Sequence, residues 1–323
     1  MKTVILTHSD CDGICAGAIA LSRFPHAEVF FTRPASFAKD LRECVGEEII
    51  ICDIAFNQTD KEEIMHIIKE KPSKIIYFDH HPMGPDVREF LEKHVTLEHN
   101  LKMSASELIY KYYQKEIPEE RVWIAIYGAI GDYCENTQFV KDVEKDWDIR
   151  ALYFEVSTLV MGIKTPHFEH YDKKRIIVRE MSKGNNPSDI PGLVFEAKEA
   201  VKREFELYDI VKNRAEKFDN VGVVSDLEGF GFRGPAALFA ATATNSLLGI
   251  SVYDRTNHLD ITVRTRNYKI DLNILLAEAG VTVGGNGGGH PEAGGARIPM
   301  NKLKDFINFI NKEIGMMKEN QEL

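Results

Sequence analysis

Short apolar runs, each ending on a polar or acidic residue, recur through the first hundred positions, with stretches of helical period between them. Val4-Ile5-Leu6 leads into Thr7-His8-Ser9-Asp10-Cys11-Asp12-Gly13 and then into the small, apolar residues 14–21. That pattern predicts a buried strand, a tight turn and a helix. Residues 28–31, 48–52 and 74–78 predict further strands, the last two ending at Asp53 and at Asp79-His80-His81-Pro82. A helix starts near Ser36, and residues 60–71 predict an amphipathic one with Ile64, Ile67 and Ile68 inward. Strands alternating with helices at this spacing predict a parallel sheet. Ser104 with Glu107 three residues on caps another helix, and the apolar residues 121–130 predict one that delivers Gly131-Asp132.

From about 151 to 183 the pattern is helical and mixed, until Gly184-Asn185-Asn186-Pro187 and Ile190-Pro191-Gly192 break it. Residues 193–218 read as one long, charged amphipathic helix without internal Gly or Pro, a connector between two bodies. Beyond it, residues 221–224, 250–254 and 258–266 predict strands, and 234–248, 271–279 and 302–318 predict helices. The last few residues are expected to fray. The expected division is a first domain over 1–185, a linker helix over 186–218 and a second domain over 219–323. The class is α/β: a parallel sheet with flanking helices, then a smaller mixed sheet.

Length and composition agree with this. A chain of 323 residues suits two domains, and 44% apolar with 28% charged residues suits packed cores rather than disorder. The five cysteines are without CxxC spacing, which predicts a reduced, cytoplasmic chain with neither a disulfide framework nor a structural zinc site. No leader with a cleavage site and no apolar run of membrane-spanning length stand out, so no membrane partner is expected. The net charge of −10 argues against a broad basic footprint on duplex DNA. Divalent cations on acidic ligands would offset part of that charge where a phosphate approaches.

The acids and imidazoles themselves fall in a telling place. His8, Asp10 and Asp12, then Asp53, then Asp79-His80-His81, each follow an apolar strand. Neighbouring parallel strands lie about 5 Å apart, so three such ends can share one site. Asp132 is a fourth contributor. So many like charges destabilise a pocket unless cations hold them. The ligands also exceed what one ion takes, and a two-metal arrangement serves phosphate ester cleavage. The expected assignment puts His8, Asp10 and Asp53 on one ion and Asp12, Asp53, His80 and Asp132 on the other, with Asp53 as the bridge. Asp79 would orient a histidine through its other ring nitrogen. His81 would face substrate as a phosphate binder or proton donor, so that Asp79 and His81 count among the catalytic candidates. Carboxylate with imidazole suits two Mn²⁺ ions, with Mg²⁺ as the alternative. Asp10 as a helix cap, and Asp12-Gly13 or Asp79-His80-His81 as turn chemistry, are the ordinary readings. Cys11, Cys15, Cys52 and Cys134 flank these segments and read as small buried residues, not thiolate ligands.

Near the C-terminal end, Gly284-Gly285-Asn286-Gly287-Gly288-Gly289-His290-Pro291 could be a flexible loop. So many glycines beside an imidazole also suit backbone brought against a phosphate, with Asn286, Gly287, Gly288, Gly289 and His290 as substrate contacts. Arg264 and Arg266, two apart on a strand, are expected to point to one face, and arginine forks fit phosphate oxygens. Arg264 and His290 would also stabilise charge in the reaction. His99-Asn100 is a weaker candidate for touching substrate.

His8-x-Asp10-x-Asp12, Asp53, Asp79-His80-His81 and Gly131-Asp132 resemble, in this order, the four motifs of the DHH phosphoesterase family. Gly287-Gly288-Gly289-His290 with the Arg264 strand resembles the DHHA1 domain that usually follows. The resemblance implies a manganese-dependent phosphodiesterase of DHH domain, helical connector and substrate-binding DHHA1 domain. Within the family the chain is similar to the RecJ-like branch, including an archaeal helicase-associated nuclease. That similarity implies 3′→5′ release of mononucleotides from single-stranded DNA or RNA, with a repair helicase as a partner and the oligomeric state open. Two other readings stay open. One is an enzyme of short substrates, a nanoRNase/pAp phosphatase or cyclic-dinucleotide phosphodiesterase; the other is a non-catalytic replication or repair scaffold. The chain departs from many relatives just after Asp132, where they often carry Thr-Gly and this one carries Tyr133-Cys134.

Overall fold

Val4, Ile5 and Leu6 are buried, and so is every residue of the strand that holds them, β1 (Thr3–Thr7). In the computed structural model, which describes residues 2–57, 59–227 and 231–320, the chain divides into two compact units, Met1–Ala200 and Val201–Leu323. The first unit continues through α1 (Cys11–Arg23), β2 (Glu28–Phe31), α2 (Phe37–Glu43), β3 (Glu48–Cys52), α3 (Lys61–Glu70), β4 (Lys74–Asp79), α4 (Pro85–His94) and β5 (Thr96–His99). Helices follow: α5 (Ala105–Tyr113), α6 (Val122–Gly131), α7 (Gln138–Glu144), α8 (Ile149–Gly162), α9 (Pro166–Glu169) and α10 (Tyr171–Lys183).

The five strands form one sheet in the order β2-β1-β3-β4-β5, and every pairing is parallel. Alternate residues of each central strand feed two separate cores. Ile5, Ile50, Ile76 and Phe78 pack among α1, α5 and α6, whereas Val4, Leu6, Ile49, Ile51, Ile75 and Tyr77 face α2, α3 and α4. Both faces of the sheet are therefore covered, as a parallel sheet requires. The α1 helix is almost wholly buried because its Ala, Gly and Ile residues admit α5, α6 and α10 closely.

A single helix, α11 (Leu193–Arg214), spans the division between the units. The expectation of helix through 218 is corrected. Residues 216–218 are instead β6 (Glu216–Phe218), paired antiparallel with β7 (Val221–Val224) around Asp219, whose φ is +52°. The second unit goes on through α12 (Arg233–Thr244), β8 (Leu248–Asp254), β9 (Leu259–Thr265), α13 (Leu272–Thr282), β10 (Asn286–Gly289), β11 (Ala293–Ile298) and α14 (Leu303–Glu319). Its mixed sheet has the order β10-β11-β9-β8-β7-β6, in which β7 and β8 are parallel and the other pairs antiparallel.

Two more expectations need correction here. The glycine run is no loop: residues 286–289 are an edge strand of a hairpin, closed where His290 and Ala293 exchange backbone hydrogen bonds of 2.8 and 3.2 Å. And β9 stops at Thr265, so Arg266 lies past the strand and shares no strand face with Arg264. The stop has a local cause, since the Thr265 hydroxyl accepts from the Asn267 amide and starts a turn. Fraying of the last residues concerns 321–323, outside those described. Among the described residues no helix is long and apolar enough to cross a membrane.

Candidate metal centre

From β1 the sheet grows both ways, to β2 on one side and to β3, β4 and β5 on the other. In an open α/β sheet ligands bind beyond the carboxyl ends of the strands at such a switch point. The carboxyl ends of β1, β3 and β4 carry His8, Asp53 and Asp79-His80-His81.

After β1 the chain turns at once into α1. Asp10 caps that helix, its Oδ1 accepting from the Gly13 amide at 3.0 Å, while the Thr7 hydroxyl donates to the Gly13 carbonyl at 2.5 Å. A Cβ at position 13 would run into the His8 backbone, so only glycine lets the turn close this tightly. The result brings His8 Nδ1 to 2.7 Å from Asp10 Oδ2 and 3.7 Å from Asp53 Oδ2. One Asp10 oxygen thus caps α1, and the other faces His8.

Asp53 is the centre of the cluster. It is 2% exposed, sits in the left-handed region at φ +59°, and is fixed there by its amide donating to the Phe78 carbonyl at 2.9 Å. A non-glycine residue in that region stores strain, which is characteristic of functional sites. Its Oδ1 lies 3.4 Å from His80 Nε2 and 3.9 Å from His81 Nδ1. His80 Nε2 is in turn 3.2 Å from Asp132 Oδ2, at the end of α6. Asp79, fully buried, holds His81 through Nδ1 at 2.8 Å.

Among the described residues, three overlapping groups of side chains present ligand atoms within 4.8 Å of one another: His8 with Asp10 and Asp53, Asp53 with His80 and His81, and His80 with Asp132 and Cys134. Asp12 is in none of them. Its two oxygens accept the Ala105 and Ser106 amides at 2.6 and 3.0 Å, which ties the end of β1 to the start of α5. Two residues join the cluster beyond the expected ligands. One is His81, expected to face substrate; the other is Cys134, expected only to pack, with its Sγ 3.7 Å from His80 Nδ1. A third, Lys174 on α10, donates to the Ser9 carbonyl at 2.8 Å and adds positive charge beside Asp10. Nothing in the sequence marks Lys174, because it reaches the turn from more than 160 positions away.

The electrostatics explain what such a pocket needs. Burial, then the charges of Asp10, Asp12, Asp132 and Asp79, push the Asp53 carboxyl far above its ordinary range. Burial, then Asp12 and Asp10, raise Asp132 to about 8. Burial alone would hold His8 neutral, but the charge and hydrogen bond of Asp10 prevail and raise its pKa. Burial also opposes the charge on Asp10, yet His8 holds that carboxyl below the usual range. His80 goes the other way, lowered by burial against the pull of Asp12. Among the described residues, Asp53 Oδ2 and Asp79 Oδ2 are buried oxygens without a hydrogen-bond partner. Buried acceptors are normally satisfied. Together with a donor set of carboxylates and imidazoles, they fit divalent cations.

In the second unit Arg264, half-buried on β9, donates through Nη1 to the Val263 carbonyl at 2.9 Å. Arg266 is exposed beyond the strand. Asn286 begins β10 exposed, Gly287, Gly288 and Gly289 continue it, and His290 closes the hairpin. Gly288 and Gly289 have φ of +152° and +144°, so the run is glycine-rich because its backbone conformation requires it.

Fold and site together define a metal-dependent phosphoesterase. Residues 2–130 match the DHH family N-terminal domain and residues 233–316 the DHHA1 domain. The chain belongs to the DHH family of phosphoesterases, and it is a hydrolase. No curated protein sequence matches it. Among solved structures it is similar to RecJ from Thermus thermophilus in complex with Mn²⁺, at TM-score 0.71 and 17% identity over 98% of this chain and 52% of that one. It is also similar to a DHH-domain protein, PF0399, described as a member of the s1p family of ribosomal proteins, at 0.72 and 16% over 97% and 86%. A third is the pGpG-specific phosphodiesterase PggH from Vibrio cholerae, at 0.60 and 16% over 97% and 99%. The chain thus spans about half the length of the Thermus RecJ.

Proposed function

We propose that this protein is a Mn²⁺-dependent phosphodiesterase that removes mononucleotides from the 3′ end of single-stranded DNA, with RNA as a further substrate. The observation that carries the reading is Asp53, a buried carboxylate whose oxygens face His8 on one side and His80 and His81 on the other. A carboxylate so placed can bridge two ions. His8, Asp10 and Asp53 would hold one; Asp53, His80 and Asp132, with Asp12 behind them, would hold the other. When bound, such a pair neutralises the phosphoryl charge and acidifies the attacking water.

The remaining residues position and donate. Asp79 fixes the His81 ring through Nδ1, and its charge and hydrogen bond raise the pKa of that imidazole against the effect of burial. A ring held this way and kept basic is suited to give a proton to the leaving oxygen. Arg264 and His290 are the proposed ligands of the non-bridging phosphoryl oxygens, with Arg266, Asn286 and the backbone of Gly287, Gly288 and Gly289 as further contacts. Docking on a repair helicase belongs to the same proposal.

One observation favours a second reading. The pGpG-specific phosphodiesterase PggH matches this chain over 99% of its own length. Specificity of that neighbour for pGpG makes a substrate of two nucleotides the second reading. The test is hydrolysis of 5′- and 3′-labelled single strands of DNA and RNA with Mn²⁺, beside a dinucleotide and an Asp53→Ala control. Stepwise loss of the 3′ label from long strands supports the first reading. Turnover of the dinucleotide alone supports the second, and hydrolysis that survives in Asp53→Ala overturns both.

A further inference from the structure

The α6 helix ends in a way that its sequence does not favour. Cys134 donates its amide to the Ala129 carbonyl at 2.7 Å and Tyr133 to the Ile130 carbonyl at 3.2 Å, the paired bonds of a Schellman cap. The residue in the left-handed position of that cap is usually glycine, and here it is Tyr133, at φ +58°. The side chain gives the fold nothing in return, because Tyr133 is 87% exposed. Five described non-glycine residues have positive φ, and two of them, Asp53 and Tyr133, stand at this centre. A strained, bare aromatic one residue from a candidate ligand is a functional placement rather than a packing one.

Tyr133 lines a cleft of about 490 Å³ within the first unit. The loop between β5 and α5 forms one wall with Leu101, Lys102 and Met103; Asn136 and Gln138 continue the wall that carries Tyr133. Leu101 is itself 62% exposed. Cys134 belongs both to the cleft and to the group it forms with His80 and Asp132, so the cleft abuts the candidate metal centre. Its chemistry is that of a base pocket: an aromatic face, the apolar Leu101 and Met103, the amides of Asn100, Asn136 and Gln138 to meet a base edge, and the Lys102 ammonium to meet a phosphate.

We infer that Tyr133 is the platform on which the terminal nucleobase of the substrate stacks, a specificity element of this chain. The inference rests on the nuclease reading above. Aromatic stacking is sequence-tolerant, because every base has a π face. The cleft then selects strands that carry a base at the reacting end, without selecting which base.

The test compares two oligonucleotides, one ending in a base and one ending in an abasic residue, hydrolysed by wild type, Tyr133→Gly and Tyr133→Trp with Mn²⁺. Glycine relieves the left-handed strain, so Tyr133→Gly folds with a Tm at or above that of wild type. It is expected to raise KM for the base-bearing end about tenfold and to erase the preference over the abasic end, while Tyr133→Trp keeps both near wild type. Equal KM values for wild type and Tyr133→Gly overturn the inference, as does an equal rise on both oligonucleotides, which would mean a displaced loop. Wild type that hydrolyses neither oligonucleotide overturns the nuclease reading and this inference with it.

Discussion

The two units present their candidate chemistry in opposite ways. In the first, side chains make the site: five carboxylates and three imidazoles stand at strand and helix ends, and Asp12, Asp53, Asp79 and His80 among them are buried. In the second, backbone contributes most: an edge strand of glycines closes against β11 beside a half-buried arginine. The difference is one of cost. Buried like charges destabilise the fold unless ions offset them, whereas a glycine strand costs conformational entropy and no desolvation. The site of the first unit should therefore depend on metal and pH, and the glycine hairpin of the second on neither.

The largest effect is expected for Asp53→Ala, which removes a carboxylate shared by His8 on one side and His80 and His81 on the other. Hydrolysis by the Mn²⁺-loaded protein should fall by at least about 10³-fold. Stability should not follow, because burial and the neighbouring carboxylates already work against the charged form of Asp53 in the metal-free fold. Single-turnover rates beside thermal melts of the two proteins check this. Loss of both together would make Asp53 a structural residue.

Next comes pH. Asp132 titrates at about 8 in the metal-free fold, against an ordinary carboxyl value near 4 in the unfolded chain. Between those values the folded state holds a proton that the unfolded state has released, so stability falls as pH rises through that window. Asp53, raised for the same reasons, acts in the same direction. Metal must displace these protons, so its apparent affinity should rise by about tenfold per pH unit for each proton, up to pH near 8. Melts of chelated and Mn²⁺-loaded protein from acid to mildly basic pH test both signs. Asp132→Asn should flatten the metal-free curve, and an unchanged slope would remove Asp132 from the cluster.

How much of this could be read from residues alone follows the same division. Apolar runs closed by acids announce parallel strands whose ends share a site, because burial on both faces leaves few other ways to pack them. That logic reaches Asp53, Asp79 and His80 without help. It does not reach β5, whose residues Thr96, Leu97, Glu98 and His99 are half-buried at a sheet edge and show no apolar run. It mistakes β10 for a loop, since a strand of glycine carries no alternation and is held only by its partner β11. Helical period carried residues 216–218 into α11, although the turn residues Asp219-Asn220 favour the hairpin that forms. Asp12 and Lys174 mark the other limit: what a side chain touches 93 or 165 positions away leaves no local pattern.

The second unit can be broken without touching the first. At Gly289, with φ +144°, a Cβ would meet the Ala293 carbonyl oxygen at 2.5 Å and Gly294 Cα at 2.6 Å. Gly289→Ala is expected to cost about 1–3 kcal/mol in stability by opening the hairpin. Substrate KM should rise with it, while Mn²⁺ binding, measured by isothermal calorimetry, stays as in wild type. A parallel loss of Mn²⁺ binding would mean that the two regions are not separable in this way.

The smallest effect is expected at Cys134, and it decides what kind of metal site the first unit holds. The thiol lies among donor atoms of His80 and Asp132, yet burial, then the charges of Asp132 and Asp12, raise it to about 12. It is a neutral thiol near neutral pH, and a neutral thiol is a poor metal ligand. The Cys134 sulfur lies 3.7 Å from His80 Nδ1, and were Nε2 to hold a cation, Nδ1 would carry the proton and donate it to the sulfur. A serine hydroxyl can accept the same bond. Cys134→Ser should therefore change Mn²⁺ affinity by less than about tenfold, the lower end of what loss of an orienting partner costs. A larger loss for Mn²⁺, or a collapse of affinity for thiophilic Cd²⁺ alone, would make the sulfur a ligand and the site a mixed one rather than one of nitrogen and oxygen.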